Sequence, residues 1–192
     1  MYLFFDTETT GLPKKWDAPV SDLENWPRLV QIAWLYFDEN GNEISNKSEI
    51  IKPEGFTIPE EASNVHGIST KSAMEKGIDL KEVLKEFSNI MGKTKFLIAH
   101  NMSFDEKIID AEFIRKGIGK SLFSPEKICT KEASTQYCEI PGNYGYKWPS
   151  LSELHIKLFG SDFDDAHDAL VDVKACAKCF FELKKRGVIL FK

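Results

Sequence analysis

No apolar run in this chain approaches the ~20 residues that a membrane-spanning helix requires, which argues against a membrane class. The first ten residues, MYLFFDTETT, carry no basic stretch and reach an acid at Asp6, so they do not read as a secretory signal. Cysteine is sparse: Cys129, Cys138, Cys176 and Cys179 are the four present, and only the last two are close, in CAKC. A zinc or redox site would need a second ligand pair or a strand–turn–helix entry, and neither is visible. Buried thiols on a helix face are the expected reading, in a reducing cytoplasm. A basic excess is also missing. The formal charge is −5, which argues against coating nucleic acid through a cationic surface but not against an enzyme that grips one chain end through metal ions. Repeats, low-complexity tracts and breaks in composition are absent, so one domain over residues 1–192 is expected.

What is present reads as alternating strands and helices. Tyr2 to Phe5 is a short apolar run ending in a polar cluster, Leu29 to Phe37 a second strand, and Asn40-Gly41 a hairpin turn into a third, roughly from Glu43 to Ile51. Leu80, Val83, Leu84, Phe87 and Ile90 have the spacing of one buried helix face, stopped by Gly92. Phe96 to Ala99 is a fourth strand. Ser103 and Glu106 have capping-box spacing and predict a helix from Ser103 to about Lys116, ending at Gly117. A short strand near Lys127 to Thr130, a helix from Lys131 and a capped helix from Ser150 (with Glu153) to about Phe159 follow. The last helix is expected to begin after Asp164-Asp165 and run to Lys185, with Ala166, Ala169, Leu170, Val173, Ala177 and Phe180 as its apolar stripe. An antiparallel start followed by alternating strands and helices predicts a mixed α/β sheet with helices on its faces.

Four acids lie where such a sheet binds ligands. Asp6 ends an apolar strand and Glu8 is two residues on, so both carboxylates point to one face. Asp105 falls in the first turn of the helix after the fourth strand, and Asp172 in what reads as the second turn of the last helix. His167 precedes Asp172 by five residues, a rotation of about 140° on an ideal helix. It is therefore expected off that face, in the loop or turn leading into the helix. Four carboxylates brought together without a cation would repel one another. Hard oxygen ligands in that number suit Mg²⁺ or Mn²⁺.

Three segments now stand out: Phe5-Asp6-Thr7-Glu8-Thr9-Thr10-Gly11-Leu12, His100-Asn101-Met102-Ser103-Phe104-Asp105 and His167-Asp168-Ala169-Leu170-Val171-Asp172. In order and separation they resemble the three motifs of the DEDDh group of 3′-5′ exonucleases, which includes the proofreading subunit of bacterial DNA polymerase III. The resemblance covers nearly the whole chain. It implies a ribonuclease H-like fold, a mixed five-stranded sheet with helices on both faces. It also implies two Mg²⁺ (or Mn²⁺) held by Asp6, Glu8, Asp105 and Asp172, with His167 as the general base that activates water. The product would be a nucleoside 5′-monophosphate. Two cations about 3.5–4 Å apart can serve the attacking and leaving oxygens of such a hydrolysis. Substrate contacts are implied for Thr7, Thr10, Gly11, Leu12, His66, Asn101 and Phe104. Leu12 resembles a wedge against terminal bases, and Val65-His66-Gly67-Ile68-Ser69 resembles a segment that closes over the 3′ nucleotide. The implied partners are nucleic-acid 3′ ends, DNA before RNA, with an RNA-trimming enzyme or a non-catalytic binding module as alternatives. A polymerase partner is a further possibility, although no polymerase-binding tail follows Lys192, which favours a stand-alone enzyme.

Some residues have a plainer reading. Residues 13–28 form a longer stretch than in compact proofreading subunits. Trp16 and Trp26 there suit either base stacking or, the favoured reading, packing of the loop onto the domain. Tyr144, Tyr146 and Trp148 occupy a Gly/Pro-rich loop and suit either substrate contact or anchoring. His100 is expected to bond to backbone, His155 to be structural, and His66 to fit either role. Lys184-Lys185-Arg186 is explained as cations at a helix C-terminus.

Overall fold

Alternation along the first strand decides where the rest of the chain packs. The computed structural model describes residues 1–119, 125–164 and 167–190. In β1 (Tyr2–Thr9) the side chains of Leu3 and Phe5 enter one apolar cluster, and those of Tyr2 and Phe4 enter another on the opposite face. β2 (Leu29–Phe37) divides in the same way, Ile32 and Trp34 joining the first cluster and Ala33 and Leu35 the second. A strand apolar on both faces must be covered on both, and β1 is the central strand of the sheet.

The sheet order is β3-β2-β1-β4-β5, with β3 (Glu43–Ile50), β4 (Phe96–Ala99) and β5 (Glu126–Cys129). β1, β2 and β3 pair antiparallel, while β1, β4 and β5 run parallel. Two short helices, α1 (Glu60–His66) and α2 (Thr70–Lys76), precede α3 (Leu80–Met91). α3 and α4 (Met102–Lys116) cover the Leu3–Phe5 face. Two four-residue turns, α5 (Thr130–Ala133) and α6 (Thr135–Cys138), lead to a small hairpin of β6 (Pro141–Gly142) and β7 (Gly145–Tyr146). α7 (Leu151–Phe159) and α8 (Ala169–Lys185) cover the Tyr2–Phe4 face. This is the mixed five-stranded, ribonuclease H-like arrangement expected. Among the described residues no helix is long and apolar enough to cross a membrane.

Three expected boundaries are corrected. α4 begins at Met102 with Asn101 at its N-cap, not at Ser103. The Asn101 side chain makes no cap because its Oδ1 accepts a hydrogen bond from Lys131 Nζ at 2.5 Å. The helix expected from Lys131 is instead α5 and α6, parted at Ser134, whose hydroxyl bonds back to the Thr130 carbonyl at 2.7 Å. α8 starts at Ala169, later than expected, because Asp168 is the acid that caps it, accepting from the backbone N–H of Leu170 and Val171 at 2.9 and 3.3 Å. Asp172 therefore lies in the first turn, not the second. Asp165 and Ala166, the expected helix start, fall outside the described residues. The Ser150–Glu153 capping box forms in both directions, at 3.1 and 2.8 Å.

The plainer histidine and cysteine readings hold. His100 bonds the Thr130 hydroxyl and the Pro149 carbonyl, and burial pushes its pKa down to about 4. His155 bonds the Ser161 carbonyl and Lys178, and it stacks on Phe159. All four cysteines are free thiols, and Cys176 and Cys179 are buried on α8. At the chain's end, Arg186 bonds Glu182 and the Leu158 carbonyl, and Lys184 bonds the Tyr2 hydroxyl.

Candidate active site

Asp6 and Glu8 follow the alternation of β1 one step beyond Tyr2 and Phe4, which places both carboxylates on the α8 side of the sheet. There they meet Asp172. Ligand oxygens of Asp6, Glu8 and Asp172 all lie within 4.8 Å of one another. Thr7, between them, points to the α4 side. Its hydroxyl donates to Asp105 Oδ1 at 2.6 Å in a buried hydrogen bond. Asp105 thus approaches the strand end from the opposite face of the sheet, close enough for its charge to raise the pKa of Asp6. The four acids share one strand end, three as a tight cluster and the fourth tied behind it by Thr7. Thr7 was expected to contact substrate, and its observed work is to aim Asp105.

The same end of the sheet is shaped by local irregularity. β1 and β2 shift register between Glu8 and Thr9, a bulge just before the last pair, Thr9 with Leu29. Beyond it the Thr10 backbone N–H donates to the Arg28 carbonyl, and the Thr10 hydroxyl accepts from the Arg28 N–H, both at 2.9 Å. Gly11 follows at φ 142°, a backbone state that suits glycine. This turn thrusts Leu12 outward with 73 % of its surface exposed. His66 is buried at the C-terminus of α1, its Nδ1 accepting from the Ile68 N–H at 3.1 Å. Its Nε2 is buried without a hydrogen bond of ordinary geometry. The Thr9 backbone is near enough to oppose the downward pKa shift that burial gives the ring.

His167 sits in the turn before α8, off the helix, as its spacing from Asp172 required. It is exposed, its backbone has φ 76°, and its N–H donates to Asp172 Oδ2 at 3.0 Å. Together with Asp6, Asn101, Ser150 and Asp172 it lines a cleft of about 200 Å³. The structure therefore brings together Asp6, Glu8, Asp105 and Asp172, with His167 and Asn101 on the adjoining cleft; Phe104 precedes Asp105 on α4, Leu12 follows the turn after β1, and His66 lies near the Thr9 backbone. Two positioning residues had no motif to announce them. Gln31, opposite Glu8 in β2, is buried and accepts from the Ala169 N–H at 3.4 Å, which ties the start of α8 to the sheet. Lys131 holds Asn101 and stacks over Trp148 at 4.7 Å. A buried polar side chain in an apolar strand was the only available signal for Gln31.

The electrostatics favour a cation. Burial, and then the neighbouring carboxylates, raise Asp6 well above the usual carboxylate range and Glu8 to about 8. Burial raises Asp105 to about 7 against the opposing hydrogen bond from Thr7, and it raises Asp172 despite the His167 N–H. An acid whose pKa is higher folded than unfolded is stabilising to protonate. The penalty for ionising these groups is absent below about pH 4, grows as pH climbs toward their raised values, and is complete above them. Metal-free protein is therefore expected to lose thermal stability as pH rises from about 4 to about 8. A divalent cation should raise Tm more at the alkaline end than at the acidic end. Thermal unfolding in chelator and in cation across that range checks this, and a Tm indifferent to both would remove the metal assignment.

Comparison with known proteins agrees with this geometry. A model of the exonuclease family (RNase_T) matches residues 3–180. The DNA polymerase III PolC-type proteins of Staphylococcus saprophyticus and Staphylococcus aureus are each 28 % identical, over 185 and 196 residues. These alignments cover 96 and 98 % of this chain but only 11 and 12 % of the relatives. Among solved structures, E. coli exonuclease I in complex with a dA16 oligonucleotide aligns with a TM-score of 0.74 at 21 % identity. A zinc-bound E. coli exonuclease I–ssDNA complex aligns with a TM-score of 0.76 at 22 % identity. Both cover 96 % of this chain, which spans 41 and 40 % of theirs. Those likenesses establish the fold.

Proposed function

This chain belongs to the exonuclease family, and on that premise we propose that it is a 3′-5′ exonuclease acting as one domain over residues 1–192. Its substrate is single-stranded DNA or a frayed 3′ end, released as nucleoside 5′-monophosphates. The observation that carries this reading is the convergence of Asp6, Glu8 and Asp172 within 4.8 Å, with Asp105 tied behind them through Thr7. Family membership makes the enzyme a divalent-metal-dependent hydrolase. A donor set of carboxylates, with no thiolate or imidazole in the cluster among the described residues, fits Mg²⁺ or Mn²⁺. When bound, such cations neutralise charge on the reacting phosphodiester and acidify water.

The chain's own residues divide the remaining work. Asp6, Glu8 and Asp172 would hold the metal, and Asp105, anchored by the Thr7 hydroxyl, would complete the acidic set. His167, at the mouth of the cleft, accepts the proton of the attacking water through its imidazole, while its backbone N–H fixes Asp172. As the new P–O bond forms, the P–O3′ bond breaks and the departing 3′ oxygen takes a proton from solvent water, which leaves phosphate on the 5′ side of the departing nucleotide and a free 3′ hydroxyl on the shortened chain. Leu12 wedges the terminal bases apart. His66, packed near the Thr9 backbone, shapes the pocket for the 3′ nucleotide, and Phe104, beside Asp105, packs on its sugar or base. DNA as substrate is supported by the oligonucleotide complexes of exonuclease I, whose fold this chain shares. Association with a polymerase is supported by the PolC-type relatives. A cytoplasmic setting accords with thiols packed as side chains on α8.

The test is digestion of 5′- and 3′-end-labelled single-stranded DNA, duplex DNA and RNA in Mg²⁺ and in Mn²⁺. The expected result is a ladder shortening from the 3′ end, a 3′ label released as mononucleotide, and faster digestion of single strands than of duplex. Release of a 5′ label first would reverse the polarity. Preferred digestion of RNA would move the substrate to RNA, and no metal-dependent cleavage would end the proposal.

A further inference from the structure

Residues 13–28 are held far more tightly than an idle surface loop requires. Glu112 of α4, with no exposed surface, accepts from Arg28 Nε at 2.8 Å and from an Arg115 guanidinium nitrogen at 2.9 Å. Arg115 also donates to the Trp26 carbonyl at 2.6 Å and to those of Leu23 and Pro27, pinning the distal half of the loop. The buried Asn25 side chain exchanges hydrogen bonds with the Lys15 backbone at 2.7 and 2.9 Å. Lys107 Nζ donates to the Trp16 carbonyl at 2.8 Å. Lys15 and Trp16 are thus clamped by their backbones.

The two tryptophans of this loop part company. Trp26 is 3 % exposed, bonds the Pro19 carbonyl and lies under Lys107, which satisfies the packing reading. Trp16 packs on one side only. Half of its surface (51 %) is open, and its ring sits 5.7 Å from Phe104 at an interplanar angle of 49°. Phe104 is the neighbour of Asp105 in the first turn of α4. The half-exposed indole therefore extends an aromatic surface from Phe104, the residue next to Asp105 at the start of α4. A large apolar ring held in water on a backbone already ordered gives contact area at low further entropic cost.

We propose that Trp16 and Phe104 form an aromatic step on which unpaired nucleobases next to the 3′-terminal nucleotide stack, and that this step makes the enzyme prefer single strands. Bases in a duplex are already stacked and paired and do not offer their faces to it. The inference rests on the exonuclease reading above and assigns residues 13–28 the role of a rigid arm that presents the indole.

Its test compares wild type, Trp16→Ala and Trp16→Phe on three substrates: an oligo-dT single strand, a blunt duplex, and the p-nitrophenyl ester of thymidine 5′-monophosphate, which has no second base to stack. Trp16→Ala is expected to lower kcat/KM on the single strand by about 5- to 150-fold, mainly through KM, the range that base–aromatic stacking supports. Trp16→Phe should recover most of that loss, and hydrolysis of the ester should be unchanged in both variants. An unaltered KM for the single strand would overturn the step. An equal loss on the ester would also overturn it, since that would mark a general disturbance of the site. Fluorescence anisotropy of labelled oligo-dT in Ca²⁺ reads binding without turnover. A wild type that hydrolyses none of the three while Trp16→Ala still binds oligo-dT more weakly would sink the exonuclease reading and leave the step standing. Equal binding by both would overturn the step.

Discussion

Asp6→Asn is expected to abolish metal-dependent release of mononucleotides, a fall of at least roughly 10³-fold, while making the metal-free protein more resistant to heat. The two effects come from one cause. Asp6 is in the tight cluster, and the charges of Asp105, Asp172 and Glu8 all raise its pKa after burial itself. The amide keeps the shape of the side chain but removes one of the charges that repel in the absence of a cation and attract when one is present. Neutralising it therefore relieves the empty site and weakens the loaded one. Asp172→Ala should lose activity to the same degree with a smaller gain in metal-free stability, because it also deletes the acceptor of the His167 N–H. The measurements are Tm in chelator, the Tm increment on adding Mg²⁺ or Mn²⁺, and the rate on a labelled single strand. Full activity in either variant would remove the metal-site assignment. A metal-free Asp6→Asn protein clearly less stable than wild type would mean that Asp6 is paired in a way the cluster geometry does not describe.

The site was legible in the sequence where its geometry is local. Asp6 and Glu8 share a face because a strand repeats every two residues, and the same repeat, applied to Leu3 and Phe5 against Tyr2 and Phe4, assigns the two faces of the sheet. The strands Leu29–Phe37 and Phe96–Ala99 were equally plain, being apolar but for Gln31 and bounded by polar residues. Helix starts were harder where several polar residues compete to cap. Asp164, Asp165 and Asp168 all precede the last helix, and it is the Asp168 cap, together with Gln31 reaching the Ala169 N–H from β2, that marks where it begins. At Asn101 a lysine thirty residues away takes the side chain that a local reading would have left free. That Asp105 stands across the sheet from the other three acids follows from Thr7 pointing the opposite way to its neighbours. The motifs give order and spacing but not this division. The loop of residues 13–28 was opaque for the same reason. Its bonds join side chains of α4 to backbone some ninety positions earlier, and no periodicity marks such contacts.

His167→Gly is expected to cut kcat by about 10²- to 10⁴-fold with little change in KM or in the Tm increment given by metal. The imidazole lies on the cleft with Asp6 and Asp172, yet it is no part of the acidic cluster, so its loss should spare cation binding. Glycine is the informative substitution because the backbone at this position has φ 76°, in the left-handed region, which costs a non-glycine residue on the order of 1–3 kcal/mol. Glycine relieves that strain and keeps the N–H that donates to Asp172. The variant should therefore be at least as stable as wild type while being far slower, a combination that a merely structural histidine would not produce. The rate profile supplies the second criterion. A general base acts only in its unprotonated form, so an acidic limb of the wild-type rate profile that depends on residue 167 would mark the imidazole as the base. The variant, having no such group, should lose that limb. An acidic limb unchanged in His167→Gly would assign it to the carboxylates instead and remove His167 as the base. Retention of wild-type kcat would do the same, and the strained backbone would then have to be explained by the Asp172 hydrogen bond alone.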